Sequence, residues 1–231
     1  MWALGGKAWL GLVAAVACVV EPVCAEAGDG PRDEVRRLAF RAYECGRESF
    51  TKPFLTVVDY SLPSTQRRLW VLDVRTGEVV LEELVAHGKN SGGNRVSTLS
   101  NVLGSKQSSL GLFRTDETYV GKHGYSLRLS GLEEGWNDRA RERAIVIHGA
   151  DYVGPEIAAG YGRLGRSWGC PAVRPAVTRR LIDRIKNGGA LFVYYPDEDW
   201  LGTSEFLNCQ GRLALRGVPP AKRAVDRERA G

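Results

Sequence analysis

Two short segments of the chain combine a thiol with a histidine in a pattern that suits nucleophilic chemistry. Residues 167–171 read Ser-Trp-Gly-Cys-Pro, and residues 144–149 read Ala-Ile-Val-Ile-His-Gly, an apolar run that ends in a histidine. A cysteine framed by glycine and proline, with a histidine fixed at a strand end, is typical of a nucleophile and its base. We therefore take Cys170 and His148 as candidate catalytic residues.

The order of these residues along the chain excludes several enzyme classes. Residues 165–169 match the G-x-S-x-G pattern around Ser167, but an α/β-hydrolase places its histidine after the serine, and all three histidines precede it here. Papain-type enzymes place cysteine before histidine, which is again the opposite order. A zinc site is disfavoured because no H-E-x-x-H or paired C-x-x-C spacing occurs. Histidine-first cysteine enzymes, such as the sortase-like, caspase-like and chymotrypsin-like folds, remain open.

The hydrophobic pattern predicts one mostly β domain with flanking helices. Apolar residues at helical spacing predict a helix over 32–45, ended by Gly46, and a second helix begins at Pro175, soon after the cysteine. Between and after them we expect strands at 54–60, 68–73, 78–82, 110–120, 126–129, 144–148 and 190–195. Residues 88–111 are rich in Ser, Asn and Gly and predict a long surface loop, which often lines a site. We assign residues 28–53 to an N-terminal helical segment and 54–208 to a catalytic domain.

Both ends of the chain differ in composition from this domain. Residues 1–27 carry one lysine, an apolar run over 8–20 and small residues at 25 and 27, which predicts a cleaved secretory signal. The run is too short for a stable membrane span. We therefore expect the mature protein in the periplasm or secreted into the cell envelope.

The net charge of +5 is concentrated in a basic tail, 209–231, which contains six Lys/Arg and two acidic residues. We expect this tail to be disordered and the nearly neutral domain not to bind nucleic acid.

Three cysteines remain after signal removal. Cys45 and Cys209 stand at the two ends of the domain, and Cys170 lies in the candidate site. An oxidising compartment permits a Cys45–Cys209 disulfide that leaves Cys170 as the odd thiol. Two isolated buried thiols fit the sequence equally well.

Several linked motifs resemble one family. His148-Gly149, followed after a loop by Ser167-x-Gly169-Cys170, is similar to the signature of the L,D-transpeptidase catalytic domain. The longer stretches 121–128, Gly-Lys-His-Gly-Tyr-Ser-Leu-Arg, and 162–172, ending Ser-Trp-Gly-Cys-Pro-Ala, resemble the murein branch of that family. The usual motif has His or Tyr between Ser and Gly and Arg two residues after Cys, where this chain has Trp168 and Ala172. The resemblance covers residues 54–195 and implies an α+β, mostly β sandwich.

The resemblance implies an acyl transfer on peptidoglycan stem peptides, with no cofactor and no metal. The thiol of Cys170 would attack the L-centre carbonyl of a stem tetrapeptide, release the terminal D-alanine and hold the stem as a thioester. His148 would be its base. Residues around this pair are assigned by type: oxyanion stabilisation or positioning to Ser167, Gly149 and Gly169, and substrate binding to His123, Arg163, Arg166 and Trp168.

The second half-reaction is not readable from the sequence. Cross-linking of stems, anchoring of a protein, exchange of D-amino acids and hydrolysis by an L,D-carboxypeptidase share the first step. A sortase-like cysteine peptidase and an inactive peptidoglycan-binding module are the alternatives from other classes. An unpaired thiol in an oxidising compartment argues against the binding module. The oligomeric state is left open.

Overall fold

A computed structural model describes residues 30–209, and the predicted signal segment and residues 210–231 of the predicted tail lie outside this range. The strands are β1 (Phe54–Asp59), β2 (Leu69–Asp73), β3 (Val79–Glu83), β4 (Gly111–Gly121), β5 (Gly124–Gly131), β6 (Val146–Gly149), β7 (Ala172–Val173) and β8 (Ala190–Tyr194). The helices are α1 (Asp33–Cys45), α2 (Pro155–Tyr161), α3 (Pro175–Ile185) and α4 (Glu198–Thr203).

All eight strands belong to one mixed sheet in the order β3-β2-β1-β8-β4-β5-β6-β7. Strand β8 enters the centre of this sheet, parallel to β1 and antiparallel to β4. Strands β1, β2 and β8 are buried on both faces almost throughout, which explains their continuous apolar sequences. The mostly β fold with a helix before the sheet and a helix after Cys170 is confirmed.

The sheet curls until its two edges meet. Ala86, just beyond edge strand β3, forms an antiparallel bridge with Ala172 of the opposite edge strand β7. The amide of Ala86 donates to the carbonyl of Ala172 over 2.8 Å. Closure of this kind satisfies backbone groups that an open edge would leave unpaired. It also brings the segment before β7, which contains Cys170, against the segment after β3.

Two of the helices pack against the curled sheet. Helix α1 packs on β1 and β8, while α3 packs on β6, β1 and β5. In α3 the buried positions recur at helical spacing: Val177, Thr178, Leu181, Ile182 and Ile185. The short helix α4 was not predicted, and it is fixed by fully buried Trp200, whose indole N–H donates to Glu133 over 2.8 Å. No helix within residues 30–209 is long and apolar enough to cross a membrane.

A disulfide joins Cys45, at the end of α1, to Cys209. The sequence left this pairing open, and the structure confirms it; the fold therefore extends to Cys209, where the tail was predicted to begin. The two cysteines are 164 residues apart in sequence, with Cα atoms 6.0 Å apart. A crosslink over so long a segment removes much conformational freedom from the unfolded chain.

Removing this crosslink is expected to destabilise the domain without altering its chemistry. The Cys45→Ser/Cys209→Ser double variant should lose about 2–4 kcal/mol of unfolding free energy, because the unfolded chain regains its freedom. Urea denaturation of oxidised wild type and the double variant measures this loss. Dithiothreitol should lower the wild-type midpoint and leave that of the double variant unchanged. Equal stability of both proteins would contradict a structural role for the disulfide.

Candidate active site

The candidate nucleophile and base lie on neighbouring strands. Parallel pairing of β6 with β7 places His148 opposite Ala172, and the His148 amide donates to the Pro171 carbonyl over 3.4 Å. Cys170 therefore stands two residues before the strand partner of His148, at the start of the same ladder. The structure thus brings together the two residues that the sequence assigned to catalysis.

The imidazole of His148 is held in one tautomer. Its Nδ1 lies 2.9 Å from the carbonyl oxygen of Gly149. Because a carbonyl only accepts, Nδ1 carries the hydrogen and Nε2 is left with its lone pair in the neutral ring. Burial lowers the pKa of His148, the hydrogen bond to Gly149 opposes that shift, and the neighbouring His123 lowers it further. At neutral pH the ring is therefore an unprotonated base. Gly149, predicted to position the site, does so through its carbonyl.

The thiol of Cys170 is also neutral at rest. Within residues 30–209 it is the one cysteine outside a disulfide, and it is partly accessible to solvent. Burial raises its pKa, while the backbone N–H of Val146 and the positive charge of Arg143 act in the opposite direction. Its S–H points to the carbonyl of Ala144 over 3.8 Å. The thiol and the imidazole are thus both neutral at rest, so nucleophilic attack by the thiol requires removal of its proton.

Ser167 and Gly169 shape the turn that carries the cysteine. The Ser167 hydroxyl donates to the carbonyl of Cys170 over 2.6 Å and accepts from the amide of Gly169 over 3.1 Å. Gly169 has φ +121°, and a Cβ there would lie 2.7 Å from the carbonyl of Gln107. Only glycine satisfies both constraints. The Gly169 amide is committed to Ser167 in this state, so its assignment to an oxyanion hole stays a prediction.

Hydrogen bonds from backbone and serine groups connect this turn to the segment around His87 and to the loop around Ser108. Ser167 donates its amide to the carbonyl of His87, and Ser108 donates its hydroxyl to the carbonyl of Gly169 over 3.0 Å. The same Ser108 oxygen accepts from the amide of Gly88. Most residues of the predicted surface loop over 88–111 are exposed or half-buried, but part of the loop is buried. Its serines 91, 108 and 109 are buried, because they supply the hydrogen bonds that this backbone needs.

Arg143 is a site residue that the sequence did not reveal. Its guanidinium donates to the carbonyls of Ser100 and Gln107, each over 2.6 Å, and to the hydroxyls of Ser105 and Ser109. Within residues 30–209 it forms no ion pair, so its charge is balanced only by these dipoles. Burial accordingly lowers the pKa of Arg143. It is a fixed cation that favours a negative charge on the sulfur of Cys170.

Arg68 is a second cation that forms no ion pair within residues 30–209, and it contacts His87, whose carbonyl holds the Cys170 turn. Fully buried Arg68 donates to the carbonyls of Val85 and Leu62 and to Nδ1 of His87 over 2.8 Å, and it faces the ring of Tyr60. Since a guanidinium only donates, Nδ1 of His87 must accept. Burial and the adjacent Arg68 lower the pKa of His87 to about 4. Because the backbone of His87 holds Ser167, this neutral imidazole supports the turn that carries Cys170.

The remaining predicted residues occupy different surroundings. His123 is exposed and stacks on His148, with ring centroids 4.5 Å apart. Trp168 is 69% exposed, and Lys106 lies over its ring. Arg166 donates to the carbonyls of Lys89 and Gly92, and Arg163 donates to the carbonyl of Leu164. The assignment of these residues to substrate binding stays a prediction.

The usual family motif has an arginine two residues after the cysteine, whereas the first arginine after Cys170 in this chain is Arg174. Arg174 contacts the opposite edge of the sheet. Its guanidinium forms a two-point contact with the carboxylate of Glu83, over 2.9 and 2.6 Å. Glu83 is buried at the end of β3. This ion pair joins the segment after β7 to the opposite sheet edge, so Arg174 stabilises the closure of the sheet.

The charge of Arg143 is expected to set the reactivity of the thiol. Arg143→Met should raise the pKa of Cys170, because the nearby positive charge is lost, whereas Arg143→Lys should keep it near the wild-type value. The measurement is the rate of iodoacetamide alkylation against pH, followed on the Cys170 peptide by mass spectrometry. Arg139→Met is the matched control, since half-buried Arg139 pairs with Glu142. A pH profile that Arg143→Met leaves in place would refute the electrostatic role.

Protonation of His87 is expected to destabilise the fold in acid. In the unfolded chain a histidine ionises near pH 6.5, whereas the folded pKa is about 4. The unfolded chain therefore binds an extra proton between these values, and the free energy of unfolding should fall by about 3 kcal/mol as pH drops from 7 to 4. Urea melts across this range measure the slope. His87→Asn, which keeps an acceptor for Arg68, should flatten it, and an unchanged slope would disprove the assignment.

Solved structures similar to this chain include several L,D-transpeptidases. The enzyme of Mycobacterium smegmatis is 15% identical with a TM-score of 0.39, covering 62% of this chain and 59% of that one. The enzyme of Enterococcus faecium is 16% identical with a TM-score of 0.37, covering 62% and 50%. The helical cell shape determining protein Pgp2 of Campylobacter jejuni is 11% identical with a TM-score of 0.42, covering 73% and 58%. This chain thus spans between half and three fifths of their lengths.

The sequence comparison is more specific. No curated protein matches the chain. A family model described as the L,D-transpeptidase catalytic domain matches residues 31–194, which is more than half of the chain and includes α1, the sheet, and both Cys170 and His148. The chain therefore belongs to the L,D-transpeptidase catalytic domain family.

Proposed function

We propose that this protein is a cysteine acyltransferase that acts on peptidoglycan stem peptides through a Cys170 thioester. The observation that supports this most directly is the β6–β7 pairing, which places Cys170 two residues before the strand partner of His148. The imidazole is fixed by Gly149 with its basic Nε2 free, and the thiol is the one cysteine in residues 30–209 that is not crosslinked. A binding module has no use for such a pair.

The first half-reaction begins with transfer of the thiol proton. As Sγ of Cys170 attacks the L-centre carbonyl carbon, its proton passes to Nε2 of His148, and the new C–S bond forms. The hydrogen bond from Nδ1 to the Gly149 carbonyl stabilises the imidazolium, and Arg143 stabilises negative charge at the sulfur. Collapse of the tetrahedral intermediate breaks the C–N bond. His148 then protonates the departing amine of D-alanine, leaving the thioester.

The second half-reaction reverses the proton path. An acceptor attacks the thioester carbon, its proton passes to His148, and the sulfur leaves and recovers a proton as Cys170. An amine acceptor gives transpeptidation, whereas water gives L,D-carboxypeptidase activity. The low pKa of His148, caused by its burial, keeps the ring ready to accept the proton in both steps.

We also propose that the protein works outside the cytoplasm, in the periplasm or as a secreted protein of the cell envelope. The Cys45–Cys209 disulfide supports this address, because stable disulfides belong to oxidising compartments. The apolar segment over 8–20 supports export through a cleaved signal. Peptidoglycan, the proposed partner, is found in the same place.

The test is the fate of a disaccharide-tetrapeptide incubated with purified protein. Wild type should release D-alanine, detected by mass spectrometry of the muropeptides, and Cys170→Ala should abolish release because no thioester forms. His148→Gln should lower kcat/KM by about a hundred- to ten-thousandfold, the usual contribution of a general base. A carbapenem should add covalently to wild type and not to Cys170→Ala.

The Cys45→Ser/Cys209→Ser variant is the matched control for loss of a cysteine, and it should keep its activity at temperatures where it is folded. Turnover by Cys170→Ala would overturn the proposal. Cleavage of casein or of a sorting peptide, with intact muropeptides, would favour a sortase-like peptidase instead.

A further inference from the structure

Ser108 binds the peptide group that immediately precedes the candidate nucleophile. Its hydroxyl donates to the carbonyl of Gly169 over 3.0 Å, and its oxygen accepts from the amide of Gly88 over 3.0 Å. A carbonyl only accepts and an amide N–H only donates, so these two partners fix the direction of the hydroxyl hydrogen. Ser108 is 1% exposed. The proton transfers described above give this buried hydroxyl no role.

The backbone on both sides of Ser108 is held in place. The amide of Ser108 donates to the hydroxyl of fully buried Ser91 over 2.9 Å. The carbonyl of the preceding residue, Gln107, accepts from the guanidinium of Arg143 over 2.6 Å. The Ser108 hydroxyl therefore has a defined position relative to the Gly169 carbonyl.

The direction of the Gly169 carbonyl determines where the amide of Cys170 points. In a trans peptide the C=O and the following N–H lie in one plane and point in opposite directions. Ser108 holds the Gly169 carbonyl toward the loop over 88–111, so the Cys170 N–H points away from that loop. Within residues 30–209, this N–H donates to no carbonyl and to no side-chain oxygen. It is therefore a free donor next to the thiol.

This free amide lies on the sulfur side of the turn. Burial raises the pKa of the Cys170 thiol, and the backbone N–H groups of Val146 and of Cys170 itself act against that shift. Both N–H groups therefore face Sγ. An acyl carbon that bonds to Sγ brings its oxygen close to the same Cys170 N–H, where a donor stabilises an oxyanion.

The neighbouring positions of the turn offer no alternative donor. Ser167 donates its N–H to the carbonyl of His87, and Gly169 donates its N–H to the hydroxyl of Ser167 over 3.1 Å. Pro171 has no N–H. Of residues 169–171, only Cys170 has a free amide.

Glycine at position 169 makes the orientation of this peptide group easy to lose. Gly169 has φ +121° and no Cβ that would restrict rotation of its peptide groups. A flip of the Gly169–Cys170 peptide would turn the carbonyl oxygen toward the sulfur, where it would repel an oxyanion. The same flip would leave the buried Ser108 hydroxyl without its acceptor, which is costly. The Ser108 hydrogen bond therefore opposes the flip.

We propose that Ser108 is a positioning residue for acyl transfer, which holds the Gly169 carbonyl so that the Cys170 N–H is directed at the oxyanion. This inference rests on the proposed function and adds to it a residue that acts through the backbone. As Sγ attacks, the C–S bond forms, the thiol proton passes to Nε2 of His148, and the C=O electron pair moves to oxygen. The Cys170 N–H donates to this oxygen until the electron pair returns and the C–N bond breaks. The leaving nitrogen takes the proton from His148.

The test compares two reactions of the same thiol, of which only one forms an oxyanion. A carbapenem acylates Cys170 through attack on a carbonyl carbon, whereas iodoacetamide alkylates it by displacement of iodide at a saturated carbon. Both rate constants are measured at one pH by mass spectrometry of the Cys170 peptide. Their ratio, acylation over alkylation, cancels any change in the amount of thiolate.

Ser108→Ala should lower this ratio about ten- to a hundredfold, which is less than the roughly hundred- to thousandfold effect of deleting an oxyanion donor outright. Loss of the hydroxyl frees the peptide group to turn, so only the reaction that forms an oxyanion is slowed. A general disturbance of the turn would slow both reactions and leave the ratio near that of wild type. Circular dichroism melts identify a temperature at which each variant is folded.

Two further variants separate the hydroxyl from the volume of the side chain. Ser108→Thr keeps a hydroxyl donor and should keep the wild-type ratio. Ser108→Val has the shape of threonine without the donor, and its ratio should fall as in Ser108→Ala. This pair gives the answer even where Ser108→Ala does not fold.

Ser204→Ala is the matched control for loss of a buried serine. Ser204 is 1% exposed, and its hydroxyl oxygen accepts from the amide of Leu207, in the segment that follows α4. The variant should lose stability and keep the wild-type ratio.

Two results would overturn the inference. A ratio within about twofold of wild type in Ser108→Ala would show that the amide keeps its direction without Ser108. Equal ratios in Ser108→Thr and Ser108→Val would show that the hydroxyl is not the cause. In both cases acylation of wild type would leave the proposed function intact. A wild type that iodoacetamide alkylates, but that neither a carbapenem nor a muropeptide acylates, would instead remove the proposed function and this inference with it.

Discussion

The site depends on the closure of the sheet at its shortest strand. Strand β7 contains only two residues, yet it pairs in parallel with β6 and forms an antiparallel bridge with Ala86 on its other side. Through this double pairing, the histidine strand, the cysteine turn and the loop after β3 share one set of backbone hydrogen bonds. Because β6 and β7 are in parallel register, the position of Cys170 relative to His148 is set by the main chain. Side-chain packing then only has to orient the thiol and the ring.

Two arginines close to these strands form no ion pair within residues 30–209. Arg143 and Arg68 are held by backbone carbonyls and neutral side chains. A carboxylate in the same place would neutralise them and weaken their effect on a developing negative charge. Desolvating a lone guanidinium is costly, and the lowered pKa of both arginines reflects that cost. The site is therefore rich in fixed positive potential while both reacting groups remain uncharged.

The strands and motifs that could be predicted from the sequence are those that depend on a local residue pattern. Strands such as β1 and β8 are continuous apolar runs, and the Cys170 and His148 motifs are short and contiguous, so both were predictable. Strand β7 was missed because two residues show no periodicity, and α2 because it has no buried residue. The role of Arg143 was missed because its partners lie 34–43 residues away in sequence. The buried serines of the 88–111 loop have the composition of a solvated loop, and only the tertiary fold shows what their hydroxyls contact.

The Cys45–Cys209 disulfide changes how the domain would respond to mechanical load. Tension applied between a point before Cys45 and a point after Cys209 passes directly through the sulfur–sulfur bond. The span between them, which contains strands β1 to β8 together with His148 and Cys170, is bypassed by that covalent path. Helix α1 precedes the covalent ring up to Cys45, so it would bear that tension. Pulling on the ends of this protein would therefore extend its flanks while the sheet kept its shape.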